Sequence, residues 1–332
     1  MTVLVTGATG HLGGLVVARL LAEARTVRIL TRRPFLAARH FVDLGITVHE
    51  WHPSVEPVPA AALEGVTAVI HLMGAPLGGS TTPASLQQVR ATRCGATQRL
   101  IAGFAAARRG AEGWRLIVPS VVPVSMVPVS MEVASAVPGS GPGEAEGPAE
   151  PAASDAPLTA AMLAAETQAL AARNAGARVA VVRLGLLLVP AGPLATLARL
   201  ASAGLRPDLE GRLIPAIDPG DAAAMLAGLV ARPDIVGTLN GVAPTPLHGG
   251  DLMLVLGKIG PSRVQLPVPA WVLARRIGLL APLLFNRAQI EPRRLLAMGA
   301  GFQHPDPKHS AARALATLRA EQTGLPAWWR GA

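Results

Sequence analysis

Apolar positions along the chain change their spacing in a regular alternation. Val3-Leu4-Val5 is a short continuous run that predicts a buried strand, and Leu12, Leu15, Val16, Val17 and Leu20 then recur at the spacing of one helix face. Thr26 to Thr31 reads as a second strand. Four further short apolar runs, Ile46 to Trp51, Val66 to Met73, Arg115 to Val121 and Arg178 to Leu184, predict strands as well. Between them, Ala84 to Arg108 carries Leu86, Val89, Leu100, Ile101 and Phe104 at helical spacing, and Leu158 to Arg173 is an alanine-rich helix. Strands that alternate with helices predict the α/β class, with a doubly wound parallel sheet covered on both faces. After Gly185 the pattern is irregular, and Pro267 to Phe285 reads as one apolar helix interrupted by Arg275 and Arg276. No repeat of solenoid length is present.

The junction between the first strand and the first helix is Thr6-Gly7-Ala8-Thr9-Gly10-His11-Leu12-Gly13. Strand, glycine loop and helix in this order can lay a dinucleotide pyrophosphate on backbone N–H groups at a positive helix end. Gly7, Thr9, Gly10, His11, Leu12 and Gly13 are therefore candidate cofactor contacts, against the plainer reading of a glycine-rich turn. Cofactor choice is read at the end of the second strand, where an acid would bind a ribose 2′-hydroxyl and arginine would favour a 2′-phosphate. The chain has Thr31-Arg32-Arg33-Pro34 there, which favours NADP(H) over NAD(H) unless both guanidinium groups are merely solvated. Leu72 and Gly74, in His71-Leu72-Met73-Gly74 after the fourth strand, are expected to line the same pocket.

Composition narrows the classes. The 332 residues are 50% hydrophobic, enough to bury a large core. No apolar stretch is long enough for a membrane span, and the chain enters a strand at once without a signal-peptide pattern, so a cytoplasmic protein is expected. The net charge of +9 raises the question of nucleic acid, but the arginines are scattered and aromatic residues make up only 3%, so no nucleic-acid role is expected. Cys94, the single cysteine, is expected on a helix face as a small apolar residue. Pro119 to Pro157 is rich in Pro, Gly, Ser, Ala and Glu, and reads as a loop: a surface insertion or a flap over the site.

The glycine spacing, with His71-Leu72-Met73-Gly74-Ala75-Pro76, resembles the extended branch of the short-chain dehydrogenase/reductase superfamily. The segments HLMGAPLGG and QQVRATRCGATQRL, followed by GRLIPAIDPGD, GTLNGVAPTPL and NRAQIEPRRLLAMGAGFQHP, are similar in order to an epimerase-like family that ends in a short C-terminal module. Pro292, Arg293, Leu295, Gly301 and Phe302 carry the most specific part of that likeness. It implies a Rossmann domain of residues 1–185 plus about 212–242, with 119–157 as its loop, and a smaller lobe of 186–211 and 243–332 on the side of an unknown small-molecule substrate. A homodimer contact is a further expectation for the apolar helix.

In that superfamily a tyrosine, activated by a lysine four residues later, exchanges a proton with the substrate while a nicotinamide exchanges hydride. This chain contains no tyrosine, and Leu158 to Glu166 holds neither member of the pair. Ser120 is a candidate for positioning a substrate oxygen, with Ser125 as competitor, and Glu166 is a candidate general base. Asp218 and Asp221 come next, Asp221 being expected instead to cap a helix that begins near Ala222. His49 and His52 flank Trp51 without the further ligands that a metal would need. Three readings stay open at this point: an NADP(H)-dependent oxidoreductase or epimerase-like enzyme with a relay lacking tyrosine, a non-catalytic NADP(H)-binding sensor or scaffold, and a nucleotide-sugar epimerase.

Overall fold

The computed structural model describes residues 1–77, 82–107, 113–122, 157–259 and 266–322. Along the chain β1 (Thr2–Thr6) leads to α1 (His11–Ala22), β2 (Thr26–Thr31), α2 (Pro34–His40), β3 (Thr47–Glu50), α3 (Ala60–Leu63) and β4 (Val66–His71). Then come α4 (Pro83–Arg90), a π-helical turn (Ala91–Gly95), α5 (Ala96–Ala107), β5 (Trp114–Val121), α6 (Pro157–Leu170) and β6 (Ala177–Leu184). The remainder comprises β7 (Leu186–Leu187), α7 (Gly192–Ser202), β8 (Leu205–Pro207), β9 (Leu213–Ile214), β10 (Ala216–Ile217), α8 (Pro219–Gly228), β11 (Gly237–Gly241), β12 (Leu247–His248) and α9 (Gly249–Gly257). It closes with β13 (Leu266–Val268), α10 (Ala270–Ile277), α11 (Ala281–Phe285), α12 (Arg293–Ala297) and α13 (Pro307–Gln322).

Seven strands pair in the order β11-β6-β5-β4-β1-β2-β3, all parallel. The order reverses between β1 and β4, so their carboxyl ends open a crevice at the topological switch point. The strands read as continuous apolar runs because both faces are covered. Val3 and Val5 pack with Val16, Val17 and Leu20 of α1 and Ala222 and Leu226 of α8, while Leu4 packs on the opposite face with Leu100 and Phe104 of α5. Phe104 stacks on Trp114 with ring centroids 4.3 Å apart. A separate apolar cluster joins α7, α9, α10, α11 and α13, with Leu197, Leu252, Leu273, Leu284 and Leu315 buried at its centre.

Three expected helices differ in detail. The stretch from Ala84 to Arg108 is two α-helices joined by the π-turn, and the alanine-rich helix ends at Leu170 before a 3-10 turn. Pro267 to Phe285 is not one helix. Its break lies at Gly278, with φ 81°, and the arginine pair sits in the last turn of α10, where a positive charge complements the helix dipole. Most of the Pro119–Pro157 segment, with Ser125, lies outside the described residues, whereas Ser120 is described. Among the described residues no helix is long and apolar enough to cross a membrane.

Candidate functional site

The glycine loop occupies the crevice beside the end of β1. Gly7 has φ 71°, and a Cβ there would lie 2.9 Å from the Leu72 carbonyl carbon. Gly13 is closer still to the turn, since its Cβ would stand 2.7 Å from the Ala8 Cα. Both positions accept only glycine, one for backbone handedness and contact with the β4 exit, the other for packing of α1 under the loop. Gly10 donates its N–H to the Gly7 carbonyl and caps α1 without a side-chain acceptor, and the first helical turn holds no acidic residue. The first N–H groups of α1 therefore keep their positive end open to an anion. Thr9 and His11 are exposed and Leu12 half-buried at the same turn.

Arg32 and Arg33 follow β2 directly, both exposed. The Arg33 N–H donates to Thr31 Oγ1 at 3.1 Å, fixing the backbone, while neither guanidinium has an ion-pair partner among the described residues. Leu72 is the residue against which Gly7 packs, and its N–H donates to the Thr6 carbonyl. Gly74 has a different neighbour. A Cβ at Gly74 would lie 2.8 Å from the Arg93 guanidinium carbon, so this glycine leaves room for Arg93.

Arg93 leads to the deepest polar feature near the crevice. A small cavity, with room for about one water molecule, lies between the ends of β4 and β5, the π-turn and α6, lined by His71, Arg93, Thr97, Ser120, Met162 and Glu166 among others. Three polar atoms in its wall are buried without a hydrogen-bond partner: His71 Nε2, Arg93 Nε and Ser120 Oγ. His71 Nδ1 sits 2.8 Å from Thr6 Oγ1, and Thr6 Oγ1 also accepts the Met73 N–H. Burial, and then the nearby Arg93 charge, push the His71 imidazole down to about 4, so it is neutral at ordinary pH. Burial also lowers Arg93, with no carboxylate to offset it.

Glu166 does line this cavity, but its carboxylate is engaged. Arg183 on β6 donates Nε to Oε1 at 3.0 Å and Nη2 to Oε2 at 2.8 Å, with both side chains buried. The fork-on-fork geometry anchors α6 to the sheet. Met162, one helical turn before Glu166, lines the cavity with it.

The remaining candidates serve the fold. Asp218, not Asp221, caps α8: its side chain accepts the Gly220 N–H at 2.7 Å and pairs with Arg313 on α13. Asp221 lies in the first turn of that helix and accepts the N–H groups of Gln303 and His304, at 2.8 and 2.9 Å. His52 pairs with Glu50, His49 is pushed down by burial, and among the described residues no group of His, Cys, Asp and Glu could hold a metal. Cys94 lies half-buried in the π-turn, and burial raises its thiol. Arg93 stood in the segment that carried the family likeness, but its burial has no sequence signal; only the fold gives it.

Known proteins bear on this arrangement. The NmrA-like family matches residues 1–90, which span the glycine loop, β2 and the end of β4. The chloroplastic epimerase family protein SDR39U1 homolog of Arabidopsis thaliana is 27% identical over 310 residues, covering 92% of this chain and 84% of that protein. The human epimerase family protein SDR39U1 (isoform 2), solved with NADPH, superposes with a TM-score of 0.68 at 20% identity, covering 96% of this chain and all of that one. The UDP-glucuronic acid 4-epimerase of Bacillus cereus, solved with UDP-glucuronic acid and NAD, superposes with a TM-score of 0.65 at 15% identity over 96% of this chain and all of its own. The chain is thus similar in sequence to an epimerase family protein over most of its length and shares the fold of these solved epimerase structures.

Proposed function

We propose that the chain is an NADP(H)-dependent oxidoreductase or epimerase-like enzyme whose proton handling does without tyrosine. The observation that carries the cofactor half is the cradle at Gly7, Gly10 and Gly13, two of whose positions have no room for a Cβ, beside an uncapped helix end. Arg32 and Arg33, exposed and without ion-pair partners where a 2′-phosphate would lie, support NADP(H) over NAD(H). The NADPH of the human relative supports the same choice.

In this reading the N–H groups of α1 hold the pyrophosphate and the Arg32–Arg33 pair holds the 2′-phosphate. Leu72 and Gly74 border the nicotinamide half, and the nicotinamide supplies a hydride donor or acceptor. Ser120, at the end of β5 with an unpartnered hydroxyl, positions a substrate oxygen. Glu166 acts through Arg183 to hold α6 in place and is not the base, because both its carboxylate oxygens are engaged by the Arg183 guanidinium.

A second reading, a cofactor-binding sensor or scaffold without turnover, draws on Met162 and the engaged Glu166, which leave no proton relay on α6. Fluorescence titration with NADPH and NADH tests what the two readings share. The double variant Arg32→Asp with Arg33→Ser should weaken NADPH binding by roughly 10- to 100-fold, as expected for the loss of charged hydrogen bonds. Unchanged affinity would overturn the cofactor assignment. NADPH oxidation across a broad panel of carbonyl compounds separates the readings, since tight binding without any turnover favours the sensor.

A further inference from the structure

We infer that the outer face of α2 and the turn after it form a docking surface for an anionic lipid membrane, entered by Phe35, Leu36, Val42 and Leu44 and steered by Arg39. The inference stands apart from the nucleotide reading. β2 and β3 are parallel neighbours, so α2 runs back from the carboxyl edge of the sheet, and the turn with Val42 and Leu44 lies at the amino edge, away from the crevice.

Surface helices ordinarily turn their larger apolar side chains inward, and α2 does the reverse. Its one buried residue is Ala37, whereas Phe35 is 77% exposed and Leu36 is exposed beside it. Phe41, just past the helix, is the large side chain that reaches the core. The apolar residues around the turn point outward again, with Val42 64% exposed and Leu44 47%. Twelve large apolar residues are exposed among the described residues, and four of them fall within the ten positions 35–44. Apolar residues exposed singly need no explanation, but a third of them gathered in one short segment does.

The backbone holds that arrangement. The Leu44 N–H donates to the Phe41 carbonyl at 3.4 Å, closing a turn in which Asp43 has φ 60° and Gly45 φ 65°. Left-handed backbone is unfavourable for a residue with a side chain, although aspartate tolerates it better than most. This turn leaves Val42 and Leu44 in water, so the fold gains little apolar burial from it.

Charge decides what covers the face. Residues 32–44 hold Arg32, Arg33 and Arg39 against a single acid, Asp43, and the whole chain carries a net charge of +9. Arg39 follows Phe35 by four residues, so both lie on the outward side of α2, and it has no ion-pair partner among the described residues. A second copy of the chain is disfavoured, since a two-fold contact would set one positive face against the other. A protein partner would have to supply a cavity for each projecting side chain. A bilayer interface accepts phenylalanine and leucine at any spacing, and its anionic headgroups attract arginine. The contact is peripheral, in keeping with the lack of a spanning helix among the described residues.

Flotation of the full chain with vesicles, without nucleotide, tests the surface, using phosphatidylcholine alone and phosphatidylcholine mixed equally with phosphatidylserine. Affinity for the mixed vesicles should exceed that for the neutral ones by roughly tenfold or more. Val42→Asn combined with Leu44→Asn should weaken binding to the mixed vesicles by roughly tenfold or more, and Arg39→Gln by roughly fivefold. These side chains are exposed, so thermal melting should match the wild type, and Phe35→Gln is an independent apolar probe on the helix itself. Equal binding to both vesicle types or no binding to either would overturn the inference. So would binding that survives in the folded Val42 and Leu44 double variant, because the net charge alone would then explain it. Self-association that the double variant abolishes, without vesicle binding, would assign the face to a second copy and overturn it as well. A separate NADPH titration reports on the cofactor reading alone.

Discussion

Arg183 and Arg93 are both drawn away from water beside one cavity, and they meet opposite terms. Arg183 holds Glu166 through both carboxylate oxygens, joining β6 to α6, whereas Arg93 has a glycine before it and no acid. The first arrangement is complete without a ligand and serves the fold. The second leaves Arg93 Nε without a hydrogen-bond partner among the described residues. The contrast separates a pair that is complete within the fold from a cation that the described residues leave unpaired.

The largest expected effect tests the architectural side. Glu166→Ala should cost roughly 3–5 kcal/mol of stability, since it leaves Arg183 buried opposite a void. Urea unfolding measures it, and a loss below about 1 kcal/mol would mean that the pair does not anchor α6, dissolving the contrast at its firmer end.

Next in size is a pH effect from His71. Its folded value of about 4 lies below the ordinary 6.5, so the unfolded chain binds more protons between those values. Stability from this group is complete above about pH 6.5 and falls as the pH drops through 4, by about 3 kcal/mol in total. Unfolding curves for the wild type and His71→Gln, compared between pH 7 and pH 4.5, isolate the contribution: the wild type should lose more stability than the variant. Parallel losses would place His71 in a wetter setting than its burial implies.

How far these features could be read in advance follows the same divide. The β1–loop–α1 unit is legible because strand, glycines and helix are contiguous, and β2 matches its apolar run residue for residue. The single helix expected over Pro267 to Phe285 fails because Gly278 adopts a left-handed turn that apolar spacing does not encode. Asp221 was expected to cap a helix three residues after the true cap, Asp218, since either acid precedes the same apolar face. The cavity was the least legible part. Glu166 and Arg183 lie 17 residues apart on different elements, and Arg93 stands in a stretch that reads as helix with no residue pattern marking its π-turn. Pairing and burial arise from the fold, and no local spacing reports them.

A smaller effect should come from Gly74→Ala. The added methyl meets the end of a flexible side chain and not backbone, so Arg93 can swing aside at little cost to the fold. Unfolding should cost roughly 1 kcal/mol, far less than for the Glu166 variant. A loss as large as that of the Glu166 variant would mean that the Arg93 side chain cannot move off Gly74.

The smallest stability change, and the one that sharpens the comparison most, is expected for Arg93→Met. Removing an ordinary buried arginine that pairs with an acid is strongly destabilising, because the acid is stranded. Arg93 strands nothing among the described residues when it leaves: none of their carboxylates faces it, and the methionine chain can follow the stem of the arginine while shedding a charge that burial disfavours. Stability measured without ligand should therefore stay within about 1 kcal/mol of the wild type or rise, by contrast with Glu166→Ala. A large ligand-free loss in the variant would show that Arg93 belongs with Arg183 as part of the architecture.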